Sequence, residues 1–447
     1  MRLTGHVHCG IDPSPEGIPG VAVSDGNAVV LTDADGRYVI DAEEAAEFLY
    51  LSLPAGYRIP RDAQNRAQFF QPVTTAQAMD FQLERVDTPT VFDFVYVTDM
   101  HLDNNREDRF RTETIGKILT LPTPGFVLCG GDISIQGGAQ ERFLSDLSLL
   151  RSPCFHCIGN HEVMVGQPDP KAAYKQLFGP TYYSFNYGRF HFVVLDGTRP
   201  EPTRQGWKNV VGEVDGRQLR WLCQDLALIE PGRPVIICTH IPLVSTYSER
   251  RGLESATAEP AWEIQNAAEV MRLLAGHRVL CVLQGHMHEN EHLYMNGMHF
   301  LTSGAAAGKW WRGDNPDGSP GGFRVVRIAG EDVESEYQCT GLNRDGGAAS
   351  VMTVSVSEPE AWMGRPVRVD VNVFDGMPGR ERVFARAGQR EWWELSPVPG
   401  VLHRWTGYVP VGEVDAESVL TVEVRRGERI LAQADTKLTF APWSPGH

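Results

Sequence analysis

Val91–His101 reads VFDFVYVTDMH, an apolar, β-branched and aromatic run that closes on an aspartate and a histidine. A run this short and continuous reads as a buried strand, Phe92–Thr98, delivering Asp99 and His101 to the loop at its end. The same grammar recurs downstream. FVLCGGD ends on Gly131-Asp132, CFHCIGNHE on Gly159-Asn160-His161-Glu162, VIICTH on Thr239-His240, and VLCVLQGHMH on Gly285-His286-Met287-His288. Phe190–Leu195 reads as a further buried strand. Between them, Arg106–Thr120, Ala139–Leu150, Asp215–Leu228 and Trp262–Ala275 carry helical periodicity, the last two with an apolar stripe at i, i+3 and i+4 spacing. Apolar strands alternating with helices predict an α/β layer fold whose site lies on loops at strand ends.

Those loops carry metal-ligand residue types. One D-x-H or G-D is a weak signal; the ordered set, each member after a predicted buried strand, is a strong one. Two divalent ions about 3.5–4 Å apart repel each other, so a bridging carboxylate and anionic or imidazole ligands must offset that repulsion. Imidazole with carboxylate suits first-row ions such as manganese, zinc or iron better than calcium or magnesium alone. Glycines beside the ligands let the backbone turn sharply and come close to the ions.

In this order the segments resemble the signature of the calcineurin-like metallophosphoesterase superfamily: D-x-H, G-D, G-N-H-[DE], H and G-H-x-H. The resemblance spans roughly the middle half of the chain. It implies a central metallophosphoesterase β-sandwich flanked by helices, with two divalent first-row ions as cofactors. Asp99, His101 and His288 would hold one ion, Asn160, His240 and His286 the other, with Asp132 bridging. His161 would be the catalytic histidine that ligates no metal. The implied reaction is attack on a small phosphate ester by a hydroxide held between the ions, with His161 protonating the departing alkoxide or stabilising the transition state. Glu162 fills the acidic slot after His161, either to orient that imidazole or because an acidic residue suits the start of a helix. Purple acid phosphatases of the superfamily place a tyrosinate three residues after the bridging aspartate. This chain has Ile135 there, so no phenolate-coloured iron site is expected. His191 reads as a core histidine of its strand.

Outward from this core the composition changes. Up to about Leu83, short alternating runs separated by Gly, Pro and Asp predict a small all-β domain over 1–86. IPGVAV followed by TDADGRYVI resembles transthyretin-like or carboxypeptidase-regulatory-like modules. His6 and His8 there have metal-like spacing, which alternate positions on a strand also produce, and they are read as structural. The catalytic domain is expected over 90–310. A Gly- and Pro-rich passage follows, then runs such as VRVDVNVF and LTVEVR that predict a β-rich domain over 320–443. Within the passage, Trp310 and Trp311 would either wall the pocket, with Lys309 as a neighbouring cation for substrate, or pack the catalytic domain against the third. The other cations near the ligand loops are Arg106, Arg109, Arg250, Arg251 and Arg312.

The formal charge of −16 and the lack of a basic run exclude long nucleic acids as partners and make a nuclease a poor reading. No stretch approaches the roughly 18 uninterrupted apolar residues of a membrane span. Cys129, Cys238 and Cys281 sit inside apolar runs and behave as buried hydrophobes, which favours a reducing, cytoplasmic setting; a trimmed signal peptide would make it extracytoplasmic. Cys154 and Cys157 form a C-x-x-C that reads as strand, since no second cysteine pair has zinc spacing. The sequence sets no oligomeric state. Its first functional reading is hydrolysis of a small phosphodiester. The alternatives are a phosphomonoesterase on a sugar or nucleotide phosphate, or a glycan- or protein-binding module with a structural metal core, against which His161 argues.

Overall fold

The structure, a computed structural model, describes residues 1–10, 16–74, 78–87, 89–104, 108–134, 138–204, 208–253, 259–340, 352–357, 366–411 and 419–438. Arg106 and Ile135 lie outside the described residues. The chain forms two compact units: Met1–Gly313 with Gly321–Thr340, and Asp314–Pro320 with the strands from Met352 onward.

The first unit is built on two facing sheets. In one, the strands run in the order Cys154–His156, Val127–Cys129, Val91–Val97, Gly322–Ala329 and Asp332–Cys339. In the other the order is Tyr183–Tyr187, Phe190–Leu195, Pro234–Thr239, Arg278–Gln284, Met298–Thr302 and Glu291–Met295. Alternation along each strand divides the apolar residues between two layers. Phe94, Tyr96, Phe126, Leu128 and Phe155 point inward to meet Phe185, Phe192, Ile236 and Leu283 of the opposite sheet. Phe155 stacks on Phe185 with ring centroids 3.8 Å apart, and Phe126 meets Phe192 edge-on at 5.2 Å. Val95, Val97 and Val127 point outward onto Ala139–Leu147 and Ala172–Phe178. Val193, Val235, Ile237 and Val279 do so onto Gly216–Ala227 and Ala267–Leu274. The result is an α/β sandwich, strand-rich with few helices, as expected.

The predicted strands appear within a residue or two of their expected limits, and the helices are shorter than expected. Within the described part of the first predicted helix the chain forms a π-type turn at Phe110–Ile115 that runs into Gly116–Ile118. Trp262–Asn266 stays outside its helix because Ile264 N–H donates to Pro242 O at 2.8 Å. Asn266 is likewise held by Val214, its side chain accepting from Val214 N–H at 3.0 Å and donating to Val214 O at 2.7 Å.

The expected boundary at residue 320 needs correcting. Gly322–Ala329 pairs antiparallel with Val91–Val97, from Arg324↔Tyr96 to Ala329↔Val91, and Asp332–Cys339 continues the same sheet. Without them the central Val91–Val97 strand would be an edge with a row of unpaired backbone groups. Val326 and Ile328 bury their side chains in the sandwich core, and Phe323 is buried on the outer face of the sheet with Val95 and Val97.

The N-terminal region adds two small sheets, one built on Arg2–Cys9 and one on Phe48–Leu51. Its apolar residues join the inter-sheet core, with Phe69 4.4 Å from the Tyr183 ring. His6 and His8 stack on each other at 5.0 Å, and His6 Nε2 contacts Asp35 O at 2.8 Å. The second unit is an antiparallel sheet of seven strands with its own core around Val369, Val371, Trp405, Val383 and Val422. Among the described residues no helix is long and apolar enough to cross a membrane.

Candidate metal centre

The ligand loops meet because their strands are parallel. Val91–Val97, Val127–Cys129 and Cys154–His156 run parallel in one sheet, as do Pro234–Thr239 and Arg278–Gln284 in the other. All five loops therefore emerge at one end of the sandwich. There the side chains converge in three groups, each with ligand atoms within 4.8 Å of one another: Asp99, His101 and His288; His101, Asp132 and His161; Asp132, His240 and His286. Asn160, 1% exposed, begins the Asn160–Glu162 turn beside them.

The contacts are close. His101 Nε2 lies 3.0 Å from His288 Nε2, and His288 Nε2 is 3.3 Å from Asp99 Oδ1. On the other side His240 Nε2 is 3.2 Å from Asp132 Oδ2 and 3.9 Å from Asp99 Oδ1. The far nitrogens are engaged by the backbone: His240 Nδ1 donates to Gly130 O at 2.8 Å and His288 Nδ1 to Gly308 O at 2.9 Å. These bonds fix the tautomer and turn Nε2 toward the cluster, the usual support of a metal-ligating imidazole. The carboxylates Asp99 and Asp132, 0% and 2% exposed, are buried among nitrogen donors.

The backbone is strained where these side chains sit. Asp99, His101, Asp132, His286 and His288 all have positive φ, between 43° and 71°. Left-handed residues other than glycine are uncommon and cost of order 1–3 kcal/mol each. Five in one cluster point to a geometry fixed by what the side chains must hold. Two glycines make room: a Cβ on Gly159 would lie 2.2 Å from Asp132 Oδ1, and one on Gly131 2.7 Å from His240 Nδ1. Buried carboxylate, amide and pre-aimed imidazole together are a donor set that fits first-row divalent ions.

The profile described as "Calcineurin-like phosphoesterase" matches residues 92–290, and "N terminal of Calcineurin-like phosphoesterase" matches 1–86. The chain belongs to the calcineurin-like phosphoesterase family. It is thus a metal-dependent phosphoric ester hydrolase, of a family that uses divalent metals. Among solved structures it is similar to GAP50, the anchor in the inner membrane complex of Plasmodium, at 14% identity and a TM-score of 0.39, covering 58% of this chain and 87% of that one. Phosphopantetheinyl hydrolase from Mycobacterium tuberculosis is similar at 15% identity and a TM-score of 0.33, covering 50% and 92%. A putative 5'-nucleotidase from Staphylococcus aureus is similar at 14% identity and a TM-score of 0.36, covering 57% and 56%. None of these likenesses fixes a substrate. No curated protein matches the chain.

In this phosphoesterase Glu162 has a role that neither sequence reading gave it. Its carboxylate, 1% exposed, accepts from Gly159 N–H at 2.9 Å, Asp132 N–H at 3.0 Å and Ser134 N–H at 2.8 Å. It therefore ties the Asp132 loop to the Asn160–His161 loop. His161 is held by its backbone, whose N–H donates to Asp132 Oδ1 at 2.9 Å, while its imidazole side chain remains 28% exposed. That exposure sets it apart from His101 and His240, which are 0% exposed.

The two tryptophans part company. The Trp311 indole N–H donates to Met100 O at 2.9 Å, and the guanidinium of Arg109 lies over its ring at 5.4 Å while also pairing with Glu113 at 2.6 Å. Trp311 is an anchor for the loop between Asp99 and His101. Trp310 is 42% exposed, with its ring 4.9 Å from that of His288 and 5.7 Å from that of His101. Lys309 and Arg312 are exposed. Arg250 and Arg251 pair with Glu289, both at 2.9 Å. His191 is a core histidine, bonded to Asp225 at 2.8 Å and Asn186 at 3.0 Å. Cys154 and Cys157 are buried free thiols. His156 between them stacks on Phe178 at 4.1 Å, and burial takes its imidazole down to about 3.

Metal-free, the cluster holds protons that ions must displace. Burial lowers His240, but Asp132 and Asp99 outweigh burial and bring the imidazole up to about 10. His286 falls to about 4, through burial and then the charge of His240. At pH 7.5 His240 is therefore protonated and His286 neutral. Since a ligating imidazole must be neutral, loading should release at least about one proton per chain and tighten as pH rises. Calorimetry of manganese binding in two buffers of different ionisation enthalpy checks this. An enthalpy independent of buffer would contradict it.

Proposed function

We propose that this phosphoesterase holds two first-row divalent ions, manganese, zinc or iron, and cleaves a small phosphodiester. The observation that carries the dinuclear reading is the place of Asp132, whose carboxylate belongs both to the group with His101 and to the group with His240 and His286. A carboxylate shared between two donor sets is suited to bridging. The proposed ligands are Asp99, His101 and His288 on one side and Asn160, His240 and His286 on the other. When bound, such a pair supplies a water deprotonated near neutral pH and Lewis-acid sites for phosphate oxygens.

His161 serves the substrate. Its Nε2 stands 3.9 Å from Asp132 Oδ2 and its imidazole is partly exposed, suited to donating a proton to the departing alkoxide. Glu162 keeps its loop fixed against the Asp132 loop. Trp310 offers a face for the second substituent of a diester. Arg109, Arg250 and Arg251 are committed to carboxylates, leaving exposed Lys309 and Arg312 as the loop's cations. A diester carries one negative charge fewer than a monoester dianion and has a second substituent to hold, so it needs that ring surface more than it needs further cations. The eight free cysteines, seven of them buried, support a reducing, cytoplasmic setting.

The test is the ratio of kcat/KM for matched nitrophenyl di- and monoesters. Wild type should prefer the diester. Trp310→Ala should lose roughly threefold to tenfold in diester kcat/KM, the size of an aromatic contact, with the monoester little changed. Trp311→Ala should instead cost about 3 kcal/mol of stability, read as a lowered Tm. A wild-type preference for the monoester overturns the diester reading, and a Trp310→Ala ratio equal to wild type removes that ring from it.

A further inference from the structure

At the pole of the first unit opposite the metal centre lies a cavity of about 360 Å³, lined in part by Tyr57, Arg58, Arg61, Asp87, Arg151 and Tyr187. Its floor is formed where the parallel strands begin. Gly125 precedes Val127–Cys129 and Pro153 precedes Cys154–His156, whereas the metal ligands follow the ends of those strands. Its other wall comes from the N-terminal region, so neither half of the unit makes the cavity alone. A volume of this size is within the range of small-molecule sites.

The lining is unusual for a chain of charge −16, because three arginines face one aspartate. Arg58 is neutralised by Glu84 at 2.7 Å. Arg61 donates to two neutral oxygens, Asn65 Oδ1 at 3.0 Å and the carbonyl of Arg151 at 2.6 Å, and pairs with no carboxylate among the described residues. The guanidinium of Arg151 is exposed and has no ion pair among the described residues. Against Asp87 this leaves a surplus of one positive charge. Guanidinium forks match phosphate in geometry and charge, while Asp87 accepts hydroxyls. Tyr57 and Tyr187 add ring surface and phenol groups for the body of a ligand.

We infer that this cavity is a binding site, separate from the metal centre, for a small phosphomonoester that carries hydroxyl groups. The phosphate lies with Arg61 and Arg151, and the hydroxylated body lies toward Asp87 and the tyrosine rings. Free orthophosphate shares the anionic part of this chemistry.

The site can be tested without the metal centre. Full-length protein freed of metal with EDTA is titrated calorimetrically at pH 8 with AMP, ribose 5-phosphate, orthophosphate and adenosine. At least one phosphate-bearing ligand should bind one site in roughly the millimolar range or tighter, and adenosine should not. Arg151→Glu should weaken binding at least tenfold, and Arg151→Lys should recover part of it. The Arg151 side chain makes no hydrogen bond among the described residues, and the carbonyl that Arg61 uses is kept in both variants. Their Tm and their metal-loaded turnover of a nitrophenyl ester should match wild type. Binding of AMP or ribose 5-phosphate well above orthophosphate identifies an organic ligand, and equal binding identifies free phosphate. The inference is overturned if no phosphate-bearing ligand binds, or if Arg151→Glu binds as tightly as wild type.

Discussion

Asp132→Ala is expected to remove turnover and two-ion loading together. Asp132 Oδ2 faces His240 Nε2 at 3.2 Å and His101 Nε2 at 3.9 Å, and Oδ1 accepts the His161 N–H. Removing the carboxylate leaves imidazoles facing one another with Asp99 as the remaining buried carboxylate of the cluster, so two cations cannot be held close together. Metal content after manganese loading should fall from two ions per chain to one or fewer. kcat/KM should drop by more than about 10³-fold, since several kcal/mol of transition-state stabilisation are lost. Asp132→Asn keeps an acceptor for the His161 backbone but not the charge. It should load like the alanine variant if the charge is what matters. Full two-ion loading of either variant would show that Asp132 does not bridge.

His161→Ala should behave in the opposite way, keeping both ions and losing turnover. The geometry makes this a demanding test, because His161 lies in one ligand-spaced group with His101 and Asp132. If it were a ligand, its removal would cost an ion. As a proton donor it should cost about 10²–10⁴-fold in kcat, with the larger loss for alkyl esters than for nitrophenyl esters, whose leaving group needs the proton less. Metal analysis alongside kinetics on both ester types separates the cases. Equal losses on the two esters would assign His161 some other role.

The site was legible in the sequence to the extent that its chemistry is local. Each candidate ligand lies just past the end of a strand, so Asp99, Asp132, Asn160, His240, His286 and His288 stand out in five short segments, and parallel strands bring their ends together. What stayed hidden depends on contacts far apart in the chain. Gly322–Ala329 completes the catalytic sheet beside Val91–Val97, more than 200 residues earlier, and nothing in FRVVRI names its partner. The sequence offers Glu162 only local roles, beside His161 or at the start of a helix, but its three hydrogen bonds reach back to Asp132 and Ser134 as well as Gly159. Trp310 and Trp311 are adjacent in sequence and alike in composition. Positive φ at both sends one ring over the histidines and the other under the loop, a division that residue type does not encode.

The most direct test of the central claim is a manganese titration of metal-free protein, with turnover of bis(p-nitrophenyl) phosphate followed at each addition. A dinuclear phosphoesterase predicts little activity at the first equivalent, a steep rise with the second and a plateau at two ions per chain. Full activity at one ion, or none at any loading, would contradict it.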